Sequence, residues 1–365
     1  MSSYKLLTPG PLTTSRAVKE QMLVDRCTWD DDYKAITQKI RRQLLGLAHV
    51  PEHVYTTVLM QGSGTFVVEA VLNTCLGPTD KALIITNGAY GERLAQIAAY
   101  NQKNFCTYAL PYNAVPEGDV VEDILKGDQA ITHVVMVHCE TTTGMLNPVE
   151  MVANIAKRHG KIVIIDAMSS FGGIPMHVED LQLDFVISSA NKCIQGVPGF
   201  GFVVAKKEQL LACEGNATSL SLDLVAQWKE MDKDGKWRYT SPTHVVAAFS
   251  KALDELEEEG GVQARYTRYR TNNATLRKEM EKLGFHSYIA EVVQSPIITT
   301  FLFPSSTFSF KSFYEFIKAR GYVIYPGKLT NVDTFRIGNI GDIHEEDMIE
   351  LVQIIADYQG GKIDA

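Results

Sequence analysis

Asp166 closes the apolar run KIVII, and Lys192 follows the apolar stretch LDFVIS through the small residues of SSANKCIQGVPGFG. Leaving either charge unpaired in an apolar surrounding is costly, so each needs a partner. For Asp166 alone, a capped turn or buried ion pair suffices, and Lys192 alone reads as a lysine whose tip reaches water. Together they point to a shared ligand, because ligands of open α/β sheets sit outside the carboxyl ends of the strands. A third polar segment, HCETTTG over 138–144, follows the apolar THVVMV in the same way.

The segment QGSGTFVVEAVL places Gly62, Ser63, Gly64 and Thr65 at the mouth of an apolar-periodic helix. Free amides, hydroxyls and the helix dipole there suit a phosphate, although a plain helix cap fits the same residues. The spacing matches neither a P-loop nor G-x-G-x-x-G. A phosphate, a ring nitrogen that takes a carboxylate and an aldehyde that takes a lysine coexist in pyridoxal 5'-phosphate. On that reading Lys192 forms the Schiff base and Asp166 keeps the pyridine nitrogen protonated. Tyr90 in NGAYGER is placed to stack on the ring, or simply to pack at a helix start. The competing reading is a non-enzymatic binder of phosphate ligands in which Lys192 pairs with an anion.

The elements that must position these residues are legible as runs. KALIITN, ITHVVMVH, KIVIIDA, DFVISSA and GFVVAKK are short and almost continuously apolar, as strands buried on both faces are. GERLAQIAAYNQ and PVEMVANIAKRHG carry helical periodicity between them. Alternating strands and helices predict an α/β fold with a mostly parallel sheet covered on both sides. From 241 to 283 two long helices break at Gly260-Gly261. PIITTFLF, YVIYP and TFRIGN then read as strands among helices at 309–320 and 343–358, a smaller α+β unit. No repeat, low-complexity tract or flexible linker interrupts the chain.

Composition narrows the function further. The 365 residues are 45% hydrophobic, enough for a large core. A net charge of −8 argues against a general nucleic-acid binder, which needs a basic face. Six scattered cysteines without C-x-x-C, and nine histidines without ligand spacing, predict reduced thiols and no metal site. The first residues, MSSYKLLTPGPLTTS, show neither a signal-peptide run nor an Arg-rich transit pattern, and no run approaches membrane-spanning length; the expectation is a cytoplasmic chain with no membrane or nucleic-acid partner. DDD at 30–32 fits a helix start, ELEEEG at 255–260 reads as a solvated helix end, and Cys193 as a small buried residue in a tight turn.

TPGP, QGSGT, NGAYGER, HCETTTGMLNP, DAMSSFGGIP, SSANKCIQGVPG, TSPTH and FRIGNIG together resemble the class V aminotransferases of PLP fold type I, aspartate aminotransferase-like, over about residues 4 to 358. CTWDDDY, DAMSSFGGIP and SSANKCIQGVPGF narrow the resemblance to the phosphonate-using branch. The resemblance implies a large cofactor domain (15–240), a small domain from both chain ends (1–14 and 241–365), and a homodimer with active sites at the interface. It implies Lys192 as the Schiff-base lysine, Asp166 as the pyridinium partner, Tyr90 as the stacking ring, and Gly64 and Thr65, beside Ser63, at the phosphate. Thr240 would reach that phosphate from the neighbouring subunit. Thr141 would stand near the ring, and Asn191 occupies a position where alanine:glyoxylate relatives commonly have Gln. Arg336 would clamp the substrate anion, with Gly10 of the TPGP turn over the same pocket. The implied reaction is transamination of 2-aminoethylphosphonate with pyruvate, giving phosphonoacetaldehyde and L-alanine in a ping-pong cycle. A sister activity on alanine or serine with glyoxylate or pyruvate is the alternative. A cysteine desulfurase would need a mobile acceptor cysteine, and none follows Cys213.

Overall fold

Each apolar run ends in small or polar residues after five to seven positions, so it spans a sheet once and turns. The computed structural model describes residues 4–327, 329 and 331–360; positions 1–3 and 361–365, at the outer ends of the proposed small domain, lie outside the described residues, as do 328 and 330. Seven strands form one sheet: β1 (Tyr55–Gln61), β2 (Ala82–Thr86), β3 (Phe105–Ala109), β4 (His133–Val137), β5 (Ile162–Asp166), β6 (Phe185–Ser189) and β7 (Phe200–Lys206). Their order is β1-β7-β6-β5-β4-β2-β3. The pairs from β6 to β3 are parallel, whereas β7 is antiparallel to both neighbours. Helices α1 (Asp31–Leu47), α2 (Gly64–Cys75), α3 (Ala89–Tyr100) and α4 (Val149–Arg158) supply apolar faces to the two cores that sandwich it. Every residue of β2, β4 and β6 is buried, which explains their lack of polar alternation.

Neither β1 nor β3 carries a clear strand signal in the sequence. β1, YTTVLMQ, opens on polar residues although all but Gln61 are buried. β3, FCTYA, lies at the sheet edge and stays partly exposed, so its pattern lacks the burial signal. Register then fixes the site: Asp166 pairs with Val137 of β4 and with Ile187 of β6. Its carboxylate therefore emerges at the carboxyl edge in the middle of the sheet.

Downstream, α5 (Thr243–Glu258) and α6 (Gly261–Lys282) are separated at Gly260, whose φ of 105° lies in the left-handed region open to glycine. The reading of ELEEEG as merely solvated is corrected at Glu259, which bonds Arg265 at 2.6 Å and Arg268 at 2.8 Å. The chain reversal at the glycines brings both guanidiniums onto it, and Arg265 is fully buried. The DDD expectation holds, with Asp31 and Asp32 in the first turn of α1.

A second sheet of three antiparallel strands has the order β8 (Ile298–Leu302), β10 (Thr334–Gly338), β9 (Tyr325–Pro326). Helices α7 (Phe310–Ala319) and α8 (Glu345–Gly360) contribute to its core. The YVIYP run divides. Tyr322–Val323 pairs in parallel with Lys5–Leu6 near the start of the chain, while Tyr325–Pro326 joins β10. Phe335 is wholly buried there among Phe285, Phe301 and Phe313, with ring centroids 5.6, 5.6 and 5.2 Å away. Phe335→Ala is expected to destabilise this unit by about 3–5 kcal/mol, read as a lowered denaturant midpoint in equilibrium unfolding. An unchanged midpoint would show that the ring cluster adds nothing. No helix among the described residues is long and apolar enough to cross a membrane.

Candidate active site

The carboxyl ends of β4, β5 and β6 open into a cavity of about 550 Å³. Asp166, at the end of β5, lines it and is only 6% exposed. Burial pushes its carboxyl up to about 6, opposed by a hydrogen bond from the Met168 amide at 2.9 Å and by the charges of Lys192 and Arg93. Lys192 lines the same cavity from the turn after β6. Burial lowers the basicity of its amine, with Tyr90, Cys193 and Asp166 acting the other way. A carboxyl and an amine that both resist ionisation thus share one chamber, which favours a neutral, nucleophilic lysine.

The N-terminal turn closes on that lysine. Lys192 Nζ donates to the Pro9 carbonyl at 2.5 Å. Gly10 has φ 125°, and a Cβ there would stand 2.9 Å from Lys192 Cδ and 3.0 Å from Nζ. Glycine is thus required twice over, by conformation and by contact. Cys193 is buried beside it, with Sγ donating to the Ser169 carbonyl at 3.4 Å.

Helix α2 points its first turn into the other end of the cavity. Ser63 is its N-cap residue by backbone geometry, yet its hydroxyl makes no capping bond. The plain-cap reading is therefore not what the structure shows. Ser63, Gly64 and Thr65 all line the cavity, and the first amides of a helix have no intrahelical acceptor. Together these donors make a seat for an anion.

Helix α3 carries Tyr90 into the cavity from its first turn. Glu140, wholly buried, holds that turn from outside: its carboxylate accepts from the Gly91 amide at 3.1 Å and the Thr142 amide at 3.0 Å. Thr142 Oγ1 accepts from the Ala89 amide at 3.0 Å. The HCETTTG segment thus caps α3 across the chain and fixes Tyr90. Thr141 lines the cavity and accepts a bond from Arg336 Nη1 through its carbonyl at 2.9 Å.

Arg336, on β10, is completely buried. Its Nε donates to the Pro326 carbonyl at 3.0 Å, and Nη2 has no hydrogen-bond partner among the described residues. Burial lowers its basicity, while Tyr90 supports the charged form. An unfilled donor on a guanidinium held by Thr141 is suited to an incoming anion.

The structure thus gathers Ser63, Gly64, Thr65, Tyr90, Thr141, Asp166, Asn191 and Lys192 around one cavity, with Gly10 against Lys192 and Arg336 behind Thr141. It does not bring Thr240 there: that residue is exposed and outside the cavity lining of its own chain. Arg93, Ser189 and Cys139 also line the cavity and were not singled out in the sequence. Arg93 had a legible signal, since it lies three residues after Tyr90 on one helix face. Ser189 Oγ is buried without a hydrogen-bond partner, a donor left for a ligand.

A family model described as aminotransferase class-V matches residues 27–330. The chain is 62% identical over 358 residues to a 2-aminoethylphosphonate–pyruvate transaminase of Lysinibacillus sphaericus (strain C3-41), covering 98% of each chain. It is 54% identical over 361 residues to a protein of the same name from Bacteroides fragilis (strain YCH46), covering 98% of this chain and 100% of that one. Among solved structures, pyridoxamine-pyruvate aminotransferase from Mesorhizobium loti superposes with a TM-score of 0.90 at 21% identity, covering 99% of this chain and 93% of that chain. Alanine–glyoxylate aminotransferase from Nostoc sp. gives 0.89 at 21%, covering 97% and 96%. These structural likenesses identify the fold, PLP fold type I, as the sequence reading expected.

Proposed function

Since the chain belongs to the class V aminotransferases, we propose that it moves the amino group of 2-aminoethylphosphonate to pyruvate, using pyridoxal 5'-phosphate. The observation that carries the substrate assignment is the 62% identity, end to end, to a transaminase of that name. The cavity supports the cofactor: its donors and charges match the group's three polar features. Ser63, Gly64 and Thr65 would hold the phosphate, the Ser63 hydroxyl making no capping bond and the Gly64 and Thr65 amides lying at the open start of α2. Asp166 would hold the ring nitrogen, Tyr90 the ring face, Asn191 and Thr141 the ring's surroundings, and Lys192 the aldehyde carbon.

When bound, the cofactor supplies an electron sink and a carbon that carries the amino group between substrates. The chain's own residues do the rest. Asp166 Oδ keeps a proton on the ring nitrogen. Lys192 Nζ, free while the donor amine is held, would take a proton from the donor's amine-bearing carbon and return it on the cofactor side. Arg336 binds the phosphonate of the donor, then the carboxylate of pyruvate, so one guanidinium serves both half-reactions. Thr141 and Pro326 fix its orientation through their carbonyls, and the Thr8–Pro11 turn covers Lys192. Phosphonoacetaldehyde leaves first, and L-alanine leaves after the return half-reaction.

The same reading makes 15–240 the large domain and the two chain ends the small one, and it assembles the protein as a cytoplasmic homodimer. The exposed Thr240 would then bond the phosphate in the neighbouring subunit.

Alanine formation by purified protein with pyruvate and 2-aminoethylphosphonate, compared with serine and other amino donors, tests the assignment. The phosphonate should be much the best donor, and a preference for ordinary amino acids would transfer the chain to the sister activity. Arg336→Lys is expected to raise KM for both substrates roughly 10- to 100-fold, the scale of a lost charge-assisted bond, with the cofactor still attached. Unchanged KM for both would remove the clamp.

A further inference from the structure

Among the described residues lining the cavity, only Arg93, Asp166 and Lys192 are charged, and the reaction above uses the last two at the ring. Arg93 has no part in it. It sits on α3 one turn after Tyr90, its guanidinium carbon 5.0 Å from the centroid of the Tyr90 ring, and Nη1 donates to Thr65 Oγ1 at 3.4 Å. Thr65 is the second residue of α2. The guanidinium thus stands between the stacking ring and the anion seat. It is half-buried, and none of the arginine ion pairs among the described residues includes it.

The charge arithmetic makes that position informative. A phosphate monoester carries about −1.5 to −2 at neutral pH, and a helix N-terminus offsets roughly half a charge. The hydroxyls of Ser63 and Thr65 add donors but no charge. A further positive charge close to the balance required is what Arg93 provides. The need is greatest midway through the cycle: once the amino group has been transferred, the aminated cofactor has no covalent tie to Lys192, whose amine is free again. Only non-covalent bonds then keep the cofactor from leaving.

We propose that Arg93 is the counter-charge of the cofactor phosphate and the residue that retains the aminated cofactor between the two half-reactions. The inference rests on the cofactor reading given above. Its alternative is that Arg93 merely steadies the Tyr90 ring, and a ligand without the phosphate separates the two roles.

Cofactor-free wild type, Arg93→Met and Arg93→Lys are titrated with pyridoxal 5'-phosphate and with pyridoxal, following tryptophan fluorescence. Arg93→Met should raise the Kd of the phosphorylated ligand roughly 10- to 100-fold and leave that of pyridoxal unchanged. Arg93→Lys should recover part of the loss, as a point charge without the planar fork. In a second measurement, holoenzyme is incubated with 2-aminoethylphosphonate alone and passed through a desalting column. Wild type should keep its cofactor absorbance and Arg93→Met should lose it. Equal weakening of both ligands, or equal retention by wild type and Arg93→Met, overturns the proposal. Should Arg93→Met fail to fold, the same comparisons with Arg93→Lys decide it. Failure of wild type to bind the phosphorylated ligand would instead strike the cofactor reading itself.

Discussion

Lys192→Ala should lower kcat by at least about a thousandfold, the combined scale of losing a positioned base and a covalent anchor. The site makes this the largest single effect, because no second lysine lines the cavity among the described residues. The variant should still bind pyridoxal 5'-phosphate, since the seat at α2, Asp166 and Tyr90 are untouched, and added methylamine should restore part of the rate. Rapid-quench measurement of each half-reaction checks this. Both should slow together, because on the proposed reading the same Nζ would move the proton in each direction. Loss of one half-reaction alone would show that another group handles the proton in the other.

Asp166→Asn is expected to lower kcat about 10²- to 10³-fold, the usual effect of removing one preorganised electrostatic partner. It also carries a pH signature. Burial raises the Asp166 carboxyl to about 6, above the value of about 3.9 for a free aspartate. In the cofactor-free chain this group therefore contributes stability that is fully present below about pH 4 and is lost as pH rises through about 6. The cofactor reverses the sign, because a protonated ring nitrogen needs the ionised carboxylate. Its affinity, and the rise in Tm that it brings, should shrink as pH falls through about 6, by up to about tenfold in Kd per unit below. In Asp166→Asn that dependence should flatten. A wild-type Tm rise that stays constant from pH 8 to 5 would separate Asp166 from the ring nitrogen.

Asp166 and Lys192 were legible because a charged residue at the end of an unbroken apolar run marks the carboxyl edge of a buried strand. The mostly parallel sheet followed from the same runs and the helices between them. What was hidden is long-range. The Pro9 carbonyl meets Lys192 across 183 positions, and the Thr141 carbonyl meets Arg336 across 195. Periodicity is local and says nothing about such pairs, so the roles of Gly10 and Arg336 came only through resemblance. Strand β3 was missed because an edge strand is only partly covered, and β1 because its buried threonines mimic a loop. Glu140 lay in plain view in HCETTTG. Its use, capping α3 from another segment, depends on Gly88, where a Cβ would fall 2.3 Å from the Glu140 carboxyl carbon.

The attachment of the cofactor to one nitrogen is the claim on which the rest depends. Reducing the holoenzyme with borohydride fixes the cofactor on whichever lysine holds it, and peptide mass mapping then locates it. The expected result is a single phosphopyridoxyl group on the peptide containing Lys192, absent from Lys192→Ala. A label on any other lysine, or none on a protein that still forms alanine, would contradict the assignment.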